Sequence, residues 1–381
     1  MRTGAIASVG PVRQYPPVQL DHLALVFHWP IVVPLIAVAL LAAALYVPFG
    51  ALLGIACGVA LVGAVVAAVH HAEVVAHRVG EPFGTLVLAL AVTAIESSLI
   101  VSVMLAGGEN KAALARDTMY ATVMIIVNGV VGACILLGAL RHREQTFRIE
   151  GVGLALAALA TLATLVLVMP AFTVSAEGPR YTPSQLGFVA VSSLVMWCVF
   201  VFFQTVRHRD YFLPPRGAAV DEALHAAPPT AARAWASFAL LLVALVAVVG
   251  LAKVLSPSIE AAVRNAGAPP AVVGIAIALL VLMPESIAAV RSALADRLQT
   301  SMNLAVGSAL ASIGLTIPVV VAVCLLLDIP LILGLDPKDI ALLALTFLVC
   351  TIEFGSGRTS LMVGVVQLVI FAAFLFLAVV P

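Results

Sequence analysis

Charge is scarce in this sequence. Of its 381 residues, 10% are Asp, Glu, Lys or Arg and 6% are aromatic, while 63% are hydrophobic. Mean hydropathy is +1.18. Such a chain is too apolar for a water-soluble domain and takes the lipid bilayer as its solvent. Nineteen basic residues balance 19 acidic ones, so nothing supports a nucleic-acid partner. The five cysteines, Cys57, Cys134, Cys198, Cys324 and Cys350, fall in apolar segments without paired spacing, which fits packing thiols rather than disulfides or zinc ligands. A Gly-rich loop ending in Lys-Ser/Thr is missing, which argues against direct nucleotide drive. No His-Glu-x-x-His or paired-aspartate motif is present, which argues against an intramembrane enzyme. No cofactor is expected.

What is there is a series of long apolar runs. Counting those able to cross about 30 Å of hydrocarbon predicts an all-α polytopic membrane protein of about eleven transmembrane helices. They run near 24–47, 50–76, 81–106, 116–140, 150–172, 183–206, 234–257, 269–293, 300–327, 337–353 and 359–380, the tenth being the shortest. With that count, 13 of the 19 basic residues fall on the side of the N-terminus. Positive charge marks the cytoplasmic face, so the N-terminus is expected inside and the C-terminus outside. The segment from Arg207 to Arg233 carries two proline pairs, Pro214-Pro215 and Pro228-Pro229, and reads as a cytoplasmic linker. The organisation is then an N-terminal tail and auxiliary helix (1–49), a first unit (50–206), the linker (207–233) and a second unit (234–381).

The two units echo each other. "EVVAHRVGEP" from Glu73 answers "EAAVRNAGAP" from Glu260, with glutamate, glycine and proline in register. Glu96 and Glu285 then follow at similar separations, and "DTMYATV" at Asp117 loosely answers "TSMNLAV" at Thr300. If spans 2 to 6 repeat as spans 7 to 11, each repeat has five helices. An odd number turns the second copy upside down, giving the inverted-topology repeat of many secondary transporters.

In that arrangement Glu96, in "TAIESS", and Glu285, in "LMPESI", approach the bilayer midplane from opposite sides. A charge at a helix centre costs about 2.5 to 3.5 kcal/mol on insertion scales, so each glutamate needs a partner or a function. One reading is a protonated, hydrogen-bonded structural glutamate. A buried Arg or Lys partner is weakly supported, since none lies in the middle of a span. The remaining reading is a shared cation and proton site. Hard cations prefer carboxylate, hydroxyl and carbonyl oxygens, and Thr93, Ser97, Ser98 and Ser286 stand beside the glutamates. Pro284 removes the helical donor of the Leu280 carbonyl. Asn128, Asn303, Ser312 and Thr316 are further candidates for lining the path, or for bonding neighbouring helices.

At this point the residues resemble a family. "HHAEVVAHRVGEPFGTLVLALAVTAIESSLI", "VLMPESIAAV" and "SMNLAVGSALASIGLTIPVVV" look like the signature regions of the calcium/proton antiporters of the calcium/cation antiporter superfamily, most closely the bacterial ChaA-type branch. The resemblance implies that Glu96 and Glu285 are the paired glutamates that bind calcium and exchange it for protons, and that Ser308 faces the site. It implies a bacterial inner-membrane exchanger. Many members carry Gly-Asn before each glutamate, where this chain has Val92-Thr93 and Val281-Leu282, so two amide ligands are missing. Members of the branch are also associated with sodium/proton and potassium/proton exchange, so Ca2+, Na+ and K+ all stand as cargo beside H+.

His70, Glu73 and His77 share one helical face at the cytoplasmic end of span 2. A solvated helix end, a zinc-like ligand set and a cation-attracting, pH-sensing vestibule are the three readings, with Glu260 as the counterpart of Glu73. Histidine titrates near neutrality and suits the last of these. Glu353, late in span 10, reads as interfacial. The exchange reading has two rivals, a passive cation channel and an intramembrane enzyme.

Overall fold

The computed structural model describes residues 29–47, 50–80, 83–105, 111–213 and 229–380, and among them it is almost wholly helical. Apolar runs become helices in lipid because each backbone amide and carbonyl must be paired within its own segment. Ahead of the linker stand α1 (Trp29–Tyr46), α2 (Ala51–Val79), α3 (Phe83–Leu105), α4 (Leu114–Met124), α5 (Val131–His142), α6 (Ile149–Ala163), α7 (Pro183–Phe202) and the short α8 (Arg209–Phe212). A π-helical turn over Ile125–Val130 joins α4 and α5 into one span. Beyond the linker come α9 (Ala231–Asn265), α10 (Ala271–Leu294), α11 (Leu298–Leu327), α12 (Pro337–Phe354) and α13 (Leu361–Val379). The two-residue strands β1 (Gln145–Thr146) and β2 (Arg358–Thr359) pair antiparallel and tie the α5–α6 turn to the α12–α13 turn.

Ten helices among the described residues are long and apolar enough to cross a bilayer, one fewer than the sequence expectation of eleven. The difference is α12, a helix of 18 residues. Lys338 and Asp339 at its start and Glu353 at its end shorten its uncharged stretch below the roughly 20 residues of a full span. A second difference lies in α9. The sequence places the end of this span near 257, yet the helix continues through Pro257 to Asn265, for 35 residues. That is about 52 Å of helix, more than the hydrocarbon thickness.

Local signals fix several ends. Thr182 and Gln185 form a reciprocal capping box ahead of α7, with Pro183 at its first position. Thr230 accepts from the Arg233 amide and caps α9. The echoed glycines of the two halves, Gly80 and Gly267, follow α2 and α9, and both have positive φ, 77° and 66°. Only glycine takes such a conformation without strain, so the same residue is used for the same turn in each half.

The most enclosed spans are Leu114–His142 and Leu298–Leu327, 78% and 61% buried. Around them α10 packs on α4, α11 packs on α7, α6 and α3, and α13 packs on α5. The α1 helix is peripheral, 11% buried, and rests on α2 and α9. Leu35, Ile55, Leu326 and Phe376 are large apolar side chains on the outer surface, where a bilayer rather than water is the fitting surroundings.

Candidate functional site

Glu96 lies three residues after Thr93 on α3 and is 2% exposed. The Ser312 hydroxyl, from α11, donates to its Oε1 at 2.6 Å and its Oε2 at 2.5 Å, and the Thr316 hydroxyl, one turn later on α11, donates to Oε2 at 3.2 Å. Thr122 of α4 approaches the same carboxylate without closing a hydrogen bond. A helix of the first half therefore carries the charge, and a helix of the second half holds it.

Glu285 of α10 is 8% exposed and differently placed. Its Oε2 is buried with no hydrogen-bond partner among the described residues. Glu96 and Glu73 are near enough for their charges to act on it. An orphaned carboxylate oxygen is costly in a protein interior unless water, a proton or a cation satisfies it.

Both glutamates line one cavity of about 290 Å³ between α3, α7, α10 and α11. It is bounded at one end by Leu88 of α3, by Gln204 and Thr205 at the end of the α7 span and by Thr300 near the start of α11. These are the ends nearest the linker, so the cavity runs from the linker side of the bundle to the paired carboxylates. Trp197, Phe200 and Leu304 make much of its wall apolar, and among the described residues no Lys or Arg contributes to it. A low-dielectric wall around two carboxylates strengthens their attraction for a cation.

A profile described as "Sodium/calcium exchanger protein" matches residues 46–206 and 236–380. This chain belongs to that family. The y4hA protein of Sinorhizobium fredii is 50% identical over 323 residues, covering 84% of this chain and 87% of its own length. The sodium-potassium/proton antiporter ChaA of Escherichia coli is 35% identical, covering 81% and 83%. The solved structure of native YfkE shares the fold with a TM-score of 0.69 at 16% identity, over 93% of this chain and all of that one. The exchanger is thus a multi-pass transporter and not an enzyme.

Of the residues singled out in the sequence, Thr93, Asn303, Ser308 and Ser312 line the exchanger's central cavity with the two glutamates. Asn303 also donates to the Phe212 carbonyl at 2.5 Å and accepts from Gln299 at 2.8 Å, which anchors α8 to α11. Ser97 donates to the Thr93 carbonyl and Ser286 to the Leu282 carbonyl at 2.6 Å, each within its own helix. Neither they nor Ser98 form part of the cavity wall. Asn128 is fully buried away from it, donating to Thr346 at 3.0 Å. Glu353 accepts from Gln367 at 2.8 Å, a structural contact between α12 and α13.

His70, Glu73 and His77 line a separate pocket with Pro229 and Arg233, at the start of α9. Among the described residues no three His, Cys, Asp or Glu groups are close enough to hold a metal, which removes the zinc-like reading. The side chain of Glu260 lies outside the described residues. What the sequence reading missed is α7: Trp197, Phe200, Gln204 and Thr205 form one wall of the cavity. Gln204-Thr205, a polar pair at the end of an apolar run, was the available signal.

Proposed function

We propose that the chain is a secondary cation/proton antiporter working by alternating access, with a metal cation and protons competing for Glu96 and Glu285. The observation that carries the reading is the orphaned, buried Oε2 of Glu285, beside a second buried carboxylate and in a cavity without Lys or Arg. Two enclosed carboxylates need compensating positive charge to cross a bilayer, and either a cation or protons supplies it. Only these loaded states cross, which couples the two fluxes. Thr93, Ser308 and Ser312 add hydroxyl oxygens suited to a hard cation.

Calcium is the cargo that matches the site's charge, one divalent ion against two carboxylates. Sodium or potassium is the second reading, favoured by the name of the 35% identical relative and by the absence of amide ligands beside the glutamates. In either case two inverted five-helix repeats, with α1 as an auxiliary helix and α12 as the tenth of eleven spans, supply the two conformations. The basic residues put the linker side in the cytoplasm of a bacterial cell, so the cavity is the inward-facing mouth. The face at His70, Glu73 and His77 lies on that same side, where Glu73 draws cations toward Glu285.

The test uses purified protein in liposomes with an imposed pH gradient, each of Ca2+, Na+ and K+ being offered in turn. Cation-dependent proton movement is expected for at least one. On the solubilised protein, cation binding is expected to weaken as pH falls, since ligand oxygens must lose their protons to bind metal. Replacing His70 and His77 shifts the rate profile and leaves that competition intact. Binding independent of pH from roughly 5 to 9, a range that brackets free glutamate and histidine, overturns the shared site.

A further inference from the structure

The bundle has a second cavity, of about 400 Å³, on the side away from the linker. Its wall comes from the start of α4 (Asp117, Tyr120), the start of α10 (Ile275), the start of α12 (Asp336, Asp339) and the end of α13 (Phe374). When the two halves are exchanged, α10 answers α3, α4 answers α11 and α13 answers α7, three of the four helices of the first cavity, with α12 in the place of the fourth. The second cavity therefore stands where the inverted counterpart of the first should stand, and it stops short of the glutamates. Ten residues of α10, about 15 Å of helix, separate Ile275 from Glu285. The Tyr120 and Phe374 rings meet edge to face at 5.4 Å.

The pocket is acidic on balance, with three aspartates against Arg116 and Lys338. Arg116 is engaged by Asp117 at 2.8 Å and by the Gly334 carbonyl at 3.1 Å. Lys338 donates to the Leu377 carbonyl at 2.9 Å. Asp336 and Asp339 form no ion pair among the described residues. A separate observation points to a ligand: Tyr120 is 5% exposed, and its hydroxyl faces Asp339 while closing no hydrogen bond. A buried phenol hydroxyl left unpaired is destabilising by about 1 to 3 kcal/mol. A water in an ion's hydration shell would satisfy it. No three acidic groups here are close enough to coordinate an ion directly, so the ion that fits keeps its water.

We infer that the cavity at Tyr120, Asp336 and Asp339 is a docking site for a hydrated metal cation at the closed, far-side mouth of the transport path. It collects or releases the cargo when the path opens to that side. The site rests on the exchange reading for its purpose, and its occupancy can be measured without transport.

Terbium, a hard cation whose luminescence is sensitised by a neighbouring tyrosine, is titrated into purified full-length protein carrying Glu96→Gln and Glu285→Gln, so that the central pair is silenced. A saturable signal on tyrosine excitation is expected. Adding Asp339→Asn, or Asp336→Asn at the exposed start of α12, keeps the sensitiser and is expected to weaken terbium binding about tenfold, as charge count sets affinity at oxygen sites. Identical titrations in all variants overturn the site. In liposomes with Glu96 and Glu285 intact, Asp339→Asn is expected to raise the half-saturating cation concentration on the far side and leave the linker-side value unchanged. An equal change on both sides overturns its place at the far mouth. If wild-type protein exchanges no cation, the antiport reading fails, and the terbium titration still decides the docking site.

Discussion

The two buried glutamates of α3 and α10 line one cavity, yet their surroundings differ. Glu96 receives hydroxyls from Ser312 and Thr316 of the opposite half, whereas Glu285 has an oxygen with no partner. The echo between "DTMYATV" and "TSMNLAV" explains why. Carried forward in register, Ser312 answers Gly129 and Thr316 answers Ala133; allowing one extra residue for the π-helical turn, they answer Val130 and Cys134. Neither alignment puts a hydroxyl at these positions of the π-helical turn and α5. Glu96 is thus held by its neighbours, while Glu285 keeps an oxygen unpartnered among the described residues; on the exchange reading proposed above, Glu285 is the group left for cargo to complete.

The largest test of that comparison is removal of the charges. Glu96→Gln and Glu285→Gln are each expected to abolish proton-coupled cation flux in liposomes, because glutamine keeps the shape and cannot exchange a proton. The variants are expected to elute as folded protein. Near-normal transport by either would mean that one carboxylate suffices and that the pairing is structural.

The next test separates held from unheld. Ser312→Ala removes the donor of both short hydrogen bonds to Glu96, charge-assisted contacts worth about 1.5 kcal/mol, so cation affinity is expected to fall about tenfold. Ser286→Ala beside Glu285 is expected to change affinity less than about twofold, because that hydroxyl is engaged by its own helix at Leu282. Equilibrium binding on the solubilised proteins checks both. Equal losses would erase the asymmetry between the two sites.

These contrasts mark what the sequence can and cannot tell. Hydropathy gave the spans because bilayer thickness is a length constraint that any apolar run of sufficient length reveals, and two glutamates stood out against it. α12 resisted counting because its end charges leave a stretch of intermediate length. Which hydroxyls face the glutamates was not legible. Ser97, Ser98 and Ser286 are adjacent in sequence but bond within their own helix or stand off the cavity wall. Ser312 and Thr316 are more than 200 residues from Glu96 and reach it across the bundle. Proximity in sequence says little about facing, because a helix turns about 100° per residue. The α7 wall was missed for the same reason, since an apolar side chain lining a cavity reads like one facing lipid.

The smallest expected effect tests why one mouth is open and the other closed. On the linker side the cavity runs from Leu88 to Glu96 without interruption. On the far side α10 lies against α4 with Gly274 at the contact. A Cβ built there would sit 2.9 Å from the Asp117 carbonyl carbon and the Thr118 amide nitrogen, both backbone atoms that cannot swing aside. In the other half Gly84 lies twelve residues before Glu96, as Gly274 lies eleven before Glu285, but it meets the Ala76 carbonyl of α2. The same small residue thus closes α10 onto the transport path while it packs α3 onto the outer frame. Gly274→Ala is expected to push α10 from α4 and disfavour this conformation by about 1 kcal/mol, a roughly fivefold shift in population. The readout is modification of Ser308→Cys, in the linker-side cavity, by a membrane-impermeant thiol reagent, with Cys198 replaced to remove background. Its rate is expected to fall in Gly274→Ala, by about fivefold where the linker-open state is the minor population and by less where it is the major one. A well-folded Gly274→Ala protein that labels at the unchanged rate would mean that the α10–α4 contact does not hold the far mouth shut, and that closure rests on the Tyr120–Phe374 ring pair instead.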